Sequence, residues 1–226
     1  MKFKEYFGTE PSDIKKTCIL CQNYDMPLFS DSSANGFFVK SADAGSATVI
    51  ALKNNFLAGD TVLYLKETKC ENIILFGSCG GCGNVESGDL LMIEKAYNYE
   101  SFSKMLSYDE NPGYISSGEG LLRSFYSQNA YSDLIKTNSA CVSSLLLEAK
   151  YINFFKKNDI NAVDMESSIV FSAAKDINAA VLCLMYVADH IENNPVGEIL
   201  AEKTKKKIAS ARKKLAQMIL RFADEQ

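Results

Sequence analysis

The chain has 226 residues, 47% of them hydrophobic and 23% charged, with a formal net charge of −4. This size and composition predict one globular domain over residues 1–226, and the charge pattern excludes a nucleic-acid-binding surface, because basic residues cluster only in the C-terminal lysine run. No apolar run reaches the roughly 18–20 residues that span a bilayer, and the first residues lack the apolar core of a signal peptide, so we expect a cytoplasmic protein that binds no membrane.

Apolar runs typical of β-strands recur along the chain, and several lack the alternation of polar and apolar residues found in half-exposed strands. Continuous apolar runs are typical of strands that are covered on both faces. The predicted strands are TCILC (17–21), ATVIAL (47–52), NIILFG (72–77), DLLMIEKAY (89–97) and AAVLCLMYVAD (179–189).

Amphipathic segments typical of helices lie between and after these runs, at 59–69 and 165–176. The C-terminal segment also places apolar side chains three or four residues apart, at Ile208, Ala211, Leu215 and Ile219. Alternating strands and helices predict a three-layer α/β/α fold with a central, mostly parallel mixed sheet.

Polar residues follow three of the predicted strands. Tyr24 and Asp25 follow the first strand, Gly77 and Ser78 begin a glycine-rich stretch after the third, and Asp189 ends the last. Ligands of open α/β sheets bind beyond the carboxyl ends of the strands, so we expect one crevice lined by all three ends.

The glycine-rich stretch GSCGGCG (77–83) predicts a tight turn after its strand. Glycines let the backbone approach a ligand closely and point N–H groups towards an anion or a sugar, whereas a plain turn without a ligand is the alternative. The stretch lacks the G-x-G-x-x-G spacing of a dinucleotide-binding loop.

Two C-x-x-C pairs, Cys18 with Cys21 and Cys79 with Cys82, resemble a zinc-binding pattern. The pairs are separated by 57 residues, and the first lies in a predicted strand, where residues three apart face opposite sides. We therefore predict buried thiols and no metal site.

The stretch VDMES (163–167) places Asp164 and Glu166 just before a predicted helix. Acidic residues at the start of a helix are favoured by its dipole, so an N-cap role for Asp164 is one interpretation and ligand binding is the other. Asp189 has two interpretations as well, as the polar end of a strand or as a residue of the crevice.

Three segments taken together resemble the nucleoside phosphorylase superfamily in order and spacing. They are IILFGSCGG (73–81), VESGDLLMIEKA (85–96) and NAVDMESSIVFSAAKDINAAVLCLMYVADHI (161–191). The similarity extends from about Thr17 to the C-terminal helix. The superfamily includes purine nucleoside phosphorylases, uridine phosphorylases and methylthioadenosine-type nucleosidases, and the GSCG loop is most similar to that of the hexameric purine phosphorylases.

The resemblance implies roles for the residues of these segments. Glu166 matches the glutamate that binds the ribose 2′- and 3′-hydroxyls, and Met165 matches the methionine that packs against the sugar. Asp164 is assigned to the same ribose-binding group. Asp189 matches the aspartate that protonates or hydrogen-bonds N7 of a purine base, and Ser78 lies by the phosphate or the nucleophile.

The part of the site that would bind the phosphate or the nucleophile, to which Gly77 is also assigned, differs from the pattern of family phosphorylases. Those enzymes bind phosphate through arginines in two places, where this chain has CQNYDMPLF (21–29) and Leu75. Nucleosidases of the superfamily lack these arginines and activate water with a glutamate after the first strand. Asp25 or Tyr24 falls near that point, and Asp25 is the candidate catalytic base.

The resemblance therefore implies cleavage of the N-glycosidic bond of a nucleoside, with a purine as the favoured base and a role in nucleotide salvage. Phosphorolysis to free base and ribose-1-phosphate is the first expectation, with phosphate as co-substrate and no cofactor. Hydrolysis by water is one alternative, and a non-catalytic nucleoside-binding relative is another.

The family's base-stacking aromatic is missing from TNSACVSSLLLE (137–148). A homo-oligomer is also implied, as a dimer, trimer or hexamer.

Overall fold

A computed structural model of the protein describes residues 1–100, 112–127 and 133–225. Within these ranges ten strands form one sheet. The strands are β1 (Thr17–Gln22), β2 (Ala34–Asn35), β3 (Val39–Ala44), β4 (Ala47–Leu52), β5 (Asn72–Gly81), β6 (Leu90–Tyr99), β7 (Tyr114–Ser116), β8 (Leu134–Val142), β9 (Ile160–Asp164) and β10 (Ala180–His190). The helices are α1 (Phe3–Phe7), α2 (Ala58–Tyr64), α3 (Glu119–Ser127), α4 (Ile152–Lys157), α5 (Ser167–Asp176) and α6 (Glu202–Asp224).

Parallel pairing joins the central strands in the order β4, β1, β5 and β10. β10 also pairs with β6 in the antiparallel direction, and β8 and β9 connect β6 back to β5, so five strands close on themselves. Closure leaves these strands without a free edge. The predicted α/β fold with a central mixed sheet is confirmed, and the parallel strands place their carboxyl ends at one edge.

Each face of the sheet carries its own hydrophobic core. On one face α1, α2 and α5 pack through residues such as Phe7, Val62 and Phe171. On the other face α3 and α6 pack through residues such as Phe125 and Leu215, and the predicted apolar stripe of the C-terminal helix lies in this second core. None of the described helices is long and apolar enough to cross a bilayer.

The cysteines of the two C-x-x-C pairs lie in different parts of the protein. Cys18 lies in the core with α2, whereas Cys21 lies on the opposite face of the sheet. Cys79 is in the first of these cores and Cys82 is in a third cluster under α4. All seven cysteines are free thiols, and in the part of the chain that the structure describes no three ligating side chains are placed to hold a metal ion.

The glycine-rich stretch is mostly a strand and not the predicted turn. β5 continues through Gly81 alongside β10, and within the stretch only Gly83 has a positive φ, of 70°. A Cβ atom at Gly81 would lie 2.8 Å from Val187 Cγ1, and one at Gly80 would lie 3.0 Å from Asp189 Oδ1. Glycine therefore allows β10 to lie close to β5 and brings Asp189 against the strand.

Candidate active site

A cavity of about 350 Å³ lies at the carboxyl ends of β1, β5 and β10. Its wall is completed by the end of β9 and by side chains from the segments that follow β4 and β8. Four carboxyl groups line it, those of Glu148, Asp164, Glu166 and Asp189. Among the described residues no lysine, arginine or histidine lines this cavity. The predicted crevice therefore exists, and its wall is acidic.

Asp164, at the end of β9, hydrogen-bonds to the residues that begin helix α5, whose N-cap position is Glu166. Its Oδ1 atom accepts hydrogen bonds from the backbone N–H groups of Glu166 (2.8 Å) and Ser167 (2.6 Å), and its Oδ2 atom accepts one from the Ser167 hydroxyl at 2.6 Å. These bonds engage both carboxyl oxygens. The predicted N-cap role of Asp164 is therefore wrong, since Glu166 occupies that position, but the bonds of Asp164 fix the backbone of Glu166. The expected place of Asp164 at the ribose stays a prediction.

Glu166 is buried but lines the cavity, with its carboxyl group bound by a neighbouring side chain. The Gln22 side-chain amide at the end of β1 donates to Oε1 at 3.1 Å, and Asn55 lies near enough to lower the pKa of Glu166. Burial and the neighbouring Asp164 charge raise the pKa of Glu166 to about 7, against the opposing effect of these two side chains. Met165 lines the same part of the cavity, so the two residues expected at the ribose lie together.

Asp189 and Glu148 form a second acidic group on the cavity wall. Asp189 lies against Gly80, and its Oδ1 atom has no hydrogen-bond partner among the described residues. Burial raises the pKa of Asp189 to about 6. Glu148 is buried as well, and burial together with the Asp189 charge raises its pKa to about 7. Because both pKa values lie close to neutral, part of the protein population carries a proton at this end of the cavity near neutral pH.

Gly77 and Ser78 line the cavity on β5. The Ser78 Oγ atom lies 3.4 Å from the hydroxyl oxygen of Tyr24, which belongs to the short 3-10 turn after β1. A Cβ atom at Gly77 would meet nothing within 4 Å, so this glycine borders open space. Two hydroxyl groups therefore face the cavity between β1 and β5.

Asp25 is not brought to the cavity. It is fully buried, and its Oδ1 atom accepts a hydrogen bond of 2.6 Å from Nε of Arg212 on α6. Burial raises the pKa of Asp25 to about 6, and the Arg212 charge opposes that shift. A catalytic base must reach the attacking water, and this carboxyl group is instead paired with a cation outside the cavity wall. The expected base role of Asp25 therefore has no structural support.

A family model described as the phosphorylase superfamily matches residues 58–224. No curated protein matches the chain. Among solved structures, uridine phosphorylase from Vibrio fischeri ES114 is similar with a TM-score of 0.75 and 16% identity, covering 95% of this chain and 93% of that one. The Campylobacter jejuni 5′-methylthioadenosine/S-adenosyl homocysteine nucleosidase has a TM-score of 0.73 and 15% identity, covering 94% and 100%. AMP nucleosidase from Bacteroides thetaiotaomicron has a TM-score of 0.70 and 17% identity, covering 97% and 94%.

Proposed function

The chain belongs to the phosphorylase superfamily, and on that premise we propose that it cleaves the N-glycosidic bond of a purine nucleoside, with water as the attacking group. The observation that carries the proposal is the single cavity lined by both Glu166 and Asp189. Cleavage of this bond builds positive charge on the sugar ring and negative charge on the departing base. A carboxylate at one end and a carboxylic acid at the other suit these opposite charges.

At the sugar end, we propose that the ionised Glu166 carboxylate accepts hydrogen bonds from the ribose hydroxyls. Its negative charge stabilises the positive charge that develops on the ring. Gln22 holds the carboxyl group in place by a hydrogen bond, and Met165 offers an apolar surface to the sugar. The carboxylate is therefore in place before the charge forms.

At the base end, the protonated form of Asp189 donates its proton to N7 of the base. The Oδ1 atom of this residue is buried beside Gly80 and has no partner among the described residues, so the donation to the base is assigned to Oδ2. Glu148 accepts a hydrogen bond from an N–H group of the base when it is ionised and donates one when it is protonated. N7 is present in purines and absent from pyrimidines, so the proposed role of Asp189 favours a purine base.

The bonds and protons balance without a cofactor. The water oxygen bonds to C1′ of the sugar while the C1′–N bond breaks, and the electron pair of that bond goes to the base. The base receives a proton from Asp189. The proton that the water loses passes to solvent, which later returns one to Asp189.

The acidic wall of the cavity favours water over phosphate. A phosphate dianion would lie in a cavity lined by acidic residues and, among the described residues, by no basic one, whereas bound phosphates are usually matched by arginine or by other cationic partners. Phosphorolysis is the second candidate, and it is supported by the similarity of the GSCG loop to that of hexameric purine phosphorylases.

The product assay separates these candidates. Purified protein is incubated with adenosine, inosine, guanosine, 5′-methylthioadenosine and uridine, each with and without phosphate. We expect free purine and ribose (or the 5′-substituted ribose) at the same rate in both conditions. Ribose-1-phosphate formed only with phosphate would establish phosphorolysis, and saturable binding without product would establish a binding protein. A Glu166→Gln sample purified in parallel controls for contaminating nucleosidases.

A bell-shaped pH profile of kcat/KM is expected, with its maximum between about pH 6 and pH 7. Activity requires protonated Asp189 together with ionised Glu166. Because the Asp189 pKa (about 6) lies below the Glu166 pKa (about 7), this combination is a minority protonation state that is most populated between the two values. Activity falls below about pH 6 as Glu166 becomes fully protonated, and it falls above about pH 7 as Asp189 becomes fully ionised. In the Asp189→Asn variant the alkaline decrease should disappear, and activity should level off above the Glu166 pKa. An unchanged alkaline decrease in that variant would assign it to another group.

A homo-oligomer, as a dimer, trimer or hexamer, also belongs to this proposal, as does a place in cytoplasmic nucleotide salvage. Leu145 and Val196 line the cavity and are partly exposed, while their near neighbours Leu146 and Ile199 are 92% and 97% exposed. Exposed apolar side chains that cluster beside a cavity are typical of surfaces that a partner covers. A second copy of the chain is the partner that the family resemblance implies.

A further inference from the structure

The turn that follows β1 is held by an arginine from the C-terminal helix. Nε of Arg212 donates to Oδ1 of Asp25 at 2.6 Å, and its Nη2 donates to the carbonyl oxygen of Tyr24 at 2.7 Å. The guanidinium carbon also lies 5.4 Å from the centre of the Tyr24 ring. Asp25 is fully buried and the Arg212 side chain is 30% exposed, and the planar guanidinium makes both bonds in one fixed geometry. The backbone and the ring of Tyr24 are therefore fixed by contacts outside the cavity.

This arrangement presents the Tyr24 hydroxyl to the cavity. The side chain is 58% exposed, lines the cavity and lies within hydrogen-bond distance of the Ser78 hydroxyl. Burial of part of the ring raises the pKa of Tyr24. The hydroxyl thus keeps its proton at neutral pH and can both donate and accept a hydrogen bond, as the Ser78 hydroxyl can.

The two hydroxyls come from the chain segments that also hold the two carboxyl groups at the cavity. Tyr24 comes two residues after Gln22, whose amide donates to Glu166. Ser78 lies on β5 two residues before the glycine that contacts Asp189. The hydroxyls and the two acidic residues all line one cavity, so a nucleophile bound by the hydroxyls would share it with a nucleoside bound by the carboxyl groups.

We infer that Tyr24 and Ser78 hold the attacking water by hydrogen bonds, and that Arg212 and Asp25 act as positioning residues for Tyr24. The inference rests on the proposed hydrolytic function and adds to it the residues that orient the nucleophile. The hydroxyls of Tyr24 and Ser78 are unchanged by the reaction, because the water proton passes to solvent. Holding water in line with the breaking bond accelerates attack without tighter substrate binding.

The test compares Tyr24→Phe and Arg212→Lys with matched surface variants. Tyr114→Phe and Arg123→Lys are the controls, because Tyr114 is 53% exposed on β7 and Arg123 is exposed on α3. We expect Tyr24→Phe to lower kcat about tenfold with KM changed less than about twofold. Arg212→Lys should lower kcat in the same way, because lysine cannot reproduce both guanidinium bonds. Thermal unfolding verifies that each variant is folded.

A second readout separates a role in holding water from a general loss of structure. In water–methanol mixtures, ribose reports attack by water and methyl riboside reports attack by methanol. We expect the ratio of methyl riboside to ribose to rise in Tyr24→Phe, because the variant orients water less well. A lower kcat with an unchanged ratio would overturn the inference, since both products would then fall together.

The two proposals fail in different ways. If the wild-type protein releases no base from any nucleoside, the proposed function is wrong, and the role of Tyr24 falls with it. If the wild type releases base and ribose but Tyr24→Phe matches Tyr114→Phe in rate and product ratio, only the inference about Tyr24 is wrong.

Discussion

Replacing Asp189 with asparagine is expected to lower kcat for a purine nucleoside by about 10²- to 10⁴-fold, the usual contribution of a general acid. Asparagine keeps the size of the side chain and can still donate a hydrogen bond to N7, but it has no acidic proton to transfer. Base release is followed by the change in ultraviolet absorbance. Asp176→Asn, at an exposed position at the end of α5, is the matched control and should keep the wild-type rate.

A substrate with a better leaving group isolates the role of the acid. The leaving group of p-nitrophenyl riboside is stable as an anion and needs no proton as the bond breaks. Asp189→Asn should therefore cleave this substrate at close to the wild-type rate while losing activity on the purine nucleoside. An equal loss on both substrates would mean that Asp189 does not act as the acid.

The parts of the fold that could be predicted are those whose residues carry a local pattern. The apolar run at 47–52 corresponds to β4, and the run at 17–21 corresponds to β1 with one further residue. β8 and β9 were not predicted. β9 is short, and β8 mixes polar with apolar residues. The continuation of β5 through Gly81 was not predicted, because glycine favours turns in isolation, whereas here its small size permits the close approach of β10.

The residues of the candidate site also divide into those that a local sequence pattern identifies and those that it does not. Glu166 and Asp189 were identified because they lie in recognisable segments, and the structure places both on one cavity. The pairing of Asp25 with Arg212 spans 187 residues, and no spacing rule connects a turn after the first strand with a side chain of the last helix. Glu148 was not predicted, because it lies in a short 3-10 segment without a periodic pattern. Its burial, which the sequence does not reveal, is what makes it a candidate residue.

Replacing Glu166 with glutamine is expected to lower kcat/KM by about 10²- to 10³-fold, a loss typical of removing one preorganised electrostatic contact. Glutamine keeps the size of the side chain, and its carbonyl oxygen can still accept the hydrogen bond from Gln22, so the fold should be preserved. Removing the negative charge leaves the positive sugar ring without its neighbouring carboxylate. Glu67→Gln, on an exposed turn after α2, is the matched control and should keep the wild-type rate.

The pattern across substrates distinguishes the two carboxyl groups. Positive charge develops on the sugar whatever the leaving group is, so Glu166→Gln should lose activity on the purine nucleoside and on p-nitrophenyl riboside alike. A loss confined to the purine nucleoside would place Glu166 at the base rather than at the sugar. Because Asp189→Asn is expected to spare the nitrophenyl substrate, the two variants together assign one carboxyl group to each end of the cleaved bond.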